Sequence, residues 1–139
     1  MTENQRKADK YLQQIRNASQ EINNMILQID FLRYKASGAG TIRYDKDRVM
    51  TSPEDMVCEA ITEAVALERK LSDRHKELLK MRQDTEQIIA LWNNKNGSFI
   101  ESYYLSRRSM IDTARYIGCS DRNTYLIKLK ALEEFSKHL

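Results

Sequence analysis

Two apolar stripes with alternating three- and four-residue spacing decide most of what this 139-residue chain can become. In the first, Tyr11, Ile15, Ala18, Ile22, Met25, Ile29 and Leu32 succeed one another at heptad intervals. In the second, Val57, Ala60, Ala64, Leu67, Leu71, Arg74, Leu78, Met81, Thr85, Ile88 and Trp92 keep the same alternation. Such spacing lays one apolar seam along the side of an α-helix. The expected fold class is therefore all-α, with one helix over residues 4–36 and a second from Pro53 to Trp92. At ~1.5 Å per residue these are roughly 48 and 60 Å long. Ile26 and Phe31 are expected to widen the first stripe. Between the helices, Gly38 and Gly40 break the pattern and residues 37–52 read as a loop. Ser52, Pro53 and Asp55 then form a start signal of cap, Pro at the first position, and acid.

Neither long helix can bury its seam alone. The simplest solution is a long antiparallel helical hairpin, a coiled coil. Its core is thin, and Ile61, Val65, Leu79 and Ile89 flank the seam where one partner helix covers them only in part. A homo-oligomer is expected, a dimer before a tetramer, with Ile22, Ile29, Leu67, Leu71, Leu78 and Ile88 as the expected oligomerisation residues. Arg74 and Thr85 interrupt the second stripe, and polar seam positions set register at a cost in stability.

The C-terminal third carries a different pattern. An Asn-Lys-Asn-Gly turn, Asn94 to Gly97, is expected to end the second long helix. A short helix from Phe99 to Leu105 should place Phe99, Tyr103 and Tyr104 against the two helices that come after it. Ser109 can cap the first of these, with Asp112 three residues on. Met110, Thr113, Ala114 and Ile117 fall on one side of that helix. Gly118 stands where a helix end needs a positive φ. Ser120 is a good cap for the next helix, and Asp121 suits the positive end of its dipole. In that last helix Thr124, Ile127, Ala131, Leu132 and Phe135 recur at threes and fours. Arg122, Asn123, Tyr125, Leu126 and Lys128 then project away from the core. Two short helices joined by a tight turn form a helix-turn-helix, which sets its second helix in the DNA major groove.

From Tyr103 to Phe135 the chain resembles the sigma-70 region 4 helix-turn-helices, matching at Tyr104, Ser109, Ala114, Ile117, Gly118, Ser120, Ala131 and Leu132. It departs from that pattern at Tyr103 for Arg, Arg107 for Gly, Thr113 for Ile and Thr124 for Val. The two threonines imply a thinner core. The whole chain is similar to a phage and prophage family of Gram-positive bacteria near the ArpU- and RinA-type late transcription regulators. The resemblance implies a small C-terminal DNA-binding module at residues 98–139, preceded by a helical hairpin or oligomerisation region at 1–97.

Charge adds a partial constraint. Residues 1–50 carry 9 basic and 6 acidic side chains, residues 51–97 carry 7 and 9, and residues 98–139 carry 7 and 5, giving +3, −2 and +2. The middle helix is thus not a DNA surface, and the two ends are candidates. Arg122, Asn123 and Tyr125 are the expected base-contacting residues, because a reading helix sits deepest at its N-terminus. Arg107, Arg108, Arg115 and Lys128 are better placed for phosphates, and Ser120 belongs to the same helix start. The expected function is a sequence-specific transcriptional regulator that binds double-stranded DNA as an oligomer. The alternative is a protein–protein adaptor that docks RNA polymerase or another factor.

Other classes find little here. His75 and His138 are the only histidines, and Glu133 and Glu134 are adjacent and so point apart. No Gly-rich phosphate loop, nucleophile elbow or metal-ligand spacing appears, so neither an enzyme, a cofactor nor a metal is expected. Cys58 and Cys119 are too few for a disulfide framework and are expected as buried or half-buried thiols. No apolar run reaches ~18 residues and no signal peptide is visible, which makes a cytoplasmic protein without membrane contact the expectation.

Overall fold

A computed structural model describes residues 1–37 and 53–139. The described residues form α1 (Glu3–Arg16), α2 (Ala18–Ala36), α3 (Pro53–Ala90), α4 (Lys95–Ile100), a π-helical turn (Glu101–Leu105), α5 (Met110–Ile117) and α6 (Asp121–Ser136). No strand occurs among them, so the fold class is all-α. The loop expected at 37–52 lies outside the described residues apart from Ser37, and so does the Ser52 cap.

The expected single helix over 4–36 is two helices. Asn17 ends α1 at φ −90° and ψ 2°, its N–H reaching the carbonyls of Gln13 and Ile15. Asparagine is a poor helix former whose side chain competes for backbone hydrogen bonds, and it sits where the stripe passes from Ile15 to Ala18. The residues pack as two compact units, one made of Met1–Ala18 and Glu77–Leu139, the other of Ser19–Lys76. This grouping runs across the boundary at 97/98 drawn from the sequence.

In the larger unit, Thr2 and Gln5 form a capping box that starts α1. Ala8, Leu12 and Ile15, spaced four and three apart, bury one face of this helix. That face meets α6 and the π-helical turn. Asn94 caps α4 rather than merely ending the helix before it, because its side chain accepts from the N–H groups of Asn96 and Gly97. α4 therefore begins at Lys95, earlier than the helix expected from Phe99. The core comprises Leu12, Phe99, Ile100, Tyr104, Leu132 and Phe135, all fully buried. Phe135 meets the rings of Tyr11 at 5.7 Å and Trp92 at 6.5 Å. Thr85 is buried too, and its hydroxyl donates to the Met81 carbonyl one turn back at 2.9 Å.

In the smaller unit, Ile29 and Leu32 of α2 and Ala60 and Ala64 of α3 are buried. Ile26 and Phe31, expected to widen the buried stripe, are exposed instead. Arg74, the polar residue in the second stripe, donates to both carboxylate oxygens of Glu21, at 2.7 and 3.3 Å. Arg33 pairs with Glu68. The two ion pairs fall in opposite order along α2 and α3. Ile61 and Val65 stay exposed, in line with the partial cover that one neighbouring helix gives.

Candidate functional site

The candidate site is built on α5, α6 and the turn between them. Ser109 starts α5 by accepting from the Asp112 N–H at 3.1 Å. Gly118 ends it in the left-handed region, at φ 79° and ψ 33°, with its N–H bonded to the Ala114 carbonyl. The Cys119 N–H reaches the same carbonyl at 3.0 Å. Ser120 then caps α6 by accepting from the Asn123 N–H at 3.2 Å. Each capping residue satisfies an N–H that a helix start leaves without a partner.

The buried faces hold the two helices together. Thr113 and Ala114 of α5 are buried, as are Thr124, Ala131, Leu132 and Phe135 of α6. The two core threonines bring their own partners. The Ser102 hydroxyl donates to that of Thr113 at 3.2 Å, and the Thr124 hydroxyl donates to the Ser120 carbonyl at 2.8 Å. A buried hydroxyl is costly only when it lacks a hydrogen bond. Here each threonine ties its helix to a neighbouring turn.

The opposite faces carry the candidate residues. Arg107, Arg108, Arg115, Ser120, Arg122, Asn123 and Tyr125 are exposed, and Lys128 is half-buried. Arg108 is held in place: its guanidinium lies 4.5 Å from the Tyr116 ring centre and donates to the Ser102 hydroxyl at 3.3 Å. Lys128 stands 5.4 Å from the ring centre of Tyr103. Arg107 adopts φ 59°, a left-handed conformation that a side chain with a Cβ disfavours.

Arg16, at the end of α1, belongs to the same cluster, although sequence reasoning does not find it. It lies 4.1 Å from the Tyr103 ring centre and donates to the carbonyls of Tyr103 and Arg108, the latter at 2.9 Å. It thereby braces the segment that leads into α5. Tyr103 and Tyr116 complete the group, each receiving a cation on its face. No local pattern marks Arg16, because its partners lie 87 and 92 residues away.

Deeper in the unit, the Tyr104 hydroxyl donates to Asp9 at 2.6 Å. Burial, then the hydrogen bond to Asp9, push this phenol well above the ordinary tyrosine range. Burial also raises Tyr11, helped by the charge of Asp84.

The six expected oligomerisation residues are covered to different degrees. Ile29 and Leu78 are buried, and Ile22, Leu67, Leu71 and Ile88 are half-buried within the chain. Cys119 is half-buried, with the Lys95 ammonium 3.4 Å from its sulfur, whereas Cys58 is exposed against expectation. Among the described residues no group of three or more His, Cys, Asp and Glu side chains is placed to hold a metal ion, and no helix is long and apolar enough to cross a membrane.

No protein-family model, curated protein or solved structure matches this chain.

Proposed function

We propose that the chain is a sequence-specific DNA-binding regulator of transcription, in which α5, the Gly118 turn and α6 act as a helix-turn-helix. The observation that carries this reading is the position of Arg122, Asn123 and Tyr125. All three are exposed on the first turns of α6, directly after its Ser120 cap. In a groove-binding helix those turns sit closest to the base edges. Arg122 offers a fork that matches guanine, and Asn123 a donor and acceptor that match adenine. Arg107, Arg108, Arg115 and Lys128 supply cations for phosphates. Arg108 has already lost much of its rotamer freedom to Tyr116 and Ser102, so docking a phosphate there costs less ordering entropy. The hairpin of α2 and α3 is supported by the opposed order of their two ion pairs, and its role is to join reading heads in an oligomer.

A second reading, an adaptor that docks a protein such as RNA polymerase, draws on Ile111 and Leu126, which are also exposed on α5 and α6. The two readings separate on mutation. On a duplex selected from a random pool, Arg122→Ala should cost roughly 1–3 kcal/mol and relax preference at one base pair. Arg108→Ala should weaken all duplexes about equally. If both variants bind like the parent, the surface serves a protein partner.

A further inference from the structure

Arg16 closes α1, yet both carbonyls it holds belong to the segment that enters α5. Its guanidinium donates to the Tyr103 carbonyl, in the π-helical turn, and to the Arg108 carbonyl at 2.9 Å. It also lies 4.1 Å from the Tyr103 ring centre. The last carbonyls of a helix have no amide within the helix to accept from, and Arg16 supplies a donor to one of them. The Arg108 carbonyl shares a rigid peptide plane with the Ser109 N–H, and Ser109 is the cap of α5. Between the two held carbonyls stands Arg107, at φ 59°. A backbone in that region persists only where its surroundings fix it. Here Arg16 holds the Arg108 carbonyl, and the Arg108 N–H donates to the Ser102 carbonyl at 3.1 Å.

We infer that Arg16 is a positioning residue of the DNA surface: it holds the strained turn that presents Arg108, and so makes α1 part of the reading head. The inference rests on the function proposed above and deepens it. The contacts run from Arg16 to the Arg108 carbonyl, and from the Arg108 guanidinium to Tyr116 and the Ser102 hydroxyl. Ser102 in turn donates to Thr113 of α5. Arg16 is half-buried, and one terminal nitrogen of its guanidinium serves both carbonyls. It therefore acts through Arg108 rather than on a phosphate of its own.

Fluorescence anisotropy of the full chain on random-sequence duplex DNA, over a range of salt, tests this. Arg16→Ala should weaken binding about tenfold near about 50 mM salt and flatten the salt slope by about one, as the loss of one phosphate contact does. Arg108→Ala should do the same. The double variant should bind no worse than Arg108→Ala alone, because residues acting through one contact do not add. A slope flatter by about two in the double variant would put Arg16 on its own phosphate and overturn the inference. Equal binding by Arg16→Ala and the parent would overturn it too. If Arg16→Ala loses its helical circular dichroism, Arg16→Met keeps an apolar stem, donates no hydrogen bond and carries the same expectations. NMR relaxation without DNA separates the two claims. The Ser109 amide should be rigid in the parent, with an order parameter of about 0.85, and should fall below about 0.6 in the Arg16 variant. A parent that ignores DNA contradicts the regulator, whereas an unchanged Ser109 amide contradicts the clamp.

Discussion

Tyr104 is the residue whose chemistry the larger unit depends on most visibly. Its hydroxyl is buried and bonded to Asp9, and both circumstances favour the neutral phenol. A phenol raised in the folded state stabilises the fold fully below its unfolded value near 10, and loses that contribution as pH climbs above it. Melting temperatures should therefore fall above about pH 10, and Tyr104→Phe should fall less steeply over the same window. At neutral pH the same substitution should cost about 1–2 kcal/mol, read by urea denaturation, because a charge-assisted hydrogen bond is lost. Arg107 makes an opposite case. Its φ of 59° strains any residue with a Cβ, which glycine lacks. Arg107→Gly should stabilise the chain by up to about 1 kcal/mol in thermal denaturation while weakening DNA binding. The left-handed backbone at Gly118 is readable from residue type, whereas that at Arg107 is not, since nothing in an arginine announces it.

The helices α5 and α6 are the most legible elements. Ser109, Gly118 and Ser120 act through local backbone hydrogen bonds, and local rules reach that far. Gly118→Ala meets no neighbouring atom within 4 Å, so only the backbone penalty of about 1–2 kcal/mol should appear. Ser120→Ala should cost about 1 kcal/mol by loss of the cap. Both are checked by urea titration, and a larger loss for either would mean that the turn has contacts beyond its own hydrogen bonds. The break at Asn17 and the π-helical turn are not legible. Apolar spacing runs through both: a lone asparagine does not announce a break by itself, and the turn packs against α1, which is distant in sequence. The exposure of Phe31 escapes a simple count of apolar residues for a related reason. Phe31 is apolar, and only the helical angle places it opposite Ile29 rather than beside it.

For the whole molecule, α1 belongs with the C-terminal helices although it is far from them in sequence. Residues 98–139 alone would expose the faces of α6 and the π-helical turn that Ala8, Leu12 and Ile15 cover. That fragment should show little helical circular dichroism, and a fusion that restores residues 1–18 and 77–97 is needed for folding. The all-α class is legible in the apolar spacing. The pairing of α1 with α6 is not, because periodicity marks a face for burial without naming the distant element that buries it.

In the proposed function, side chains around α5 and α6 bind DNA through phosphates as well as bases. The direct test is the salt dependence of full-chain binding to duplex DNA by fluorescence anisotropy. If Arg107, Arg108, Arg115 and Lys128 each meet a phosphate, the log–log slope should be about −3.6 for one module and about −7 for two. No binding at low salt, or an affinity that does not change with salt, would show that α5 and α6 do not hold DNA.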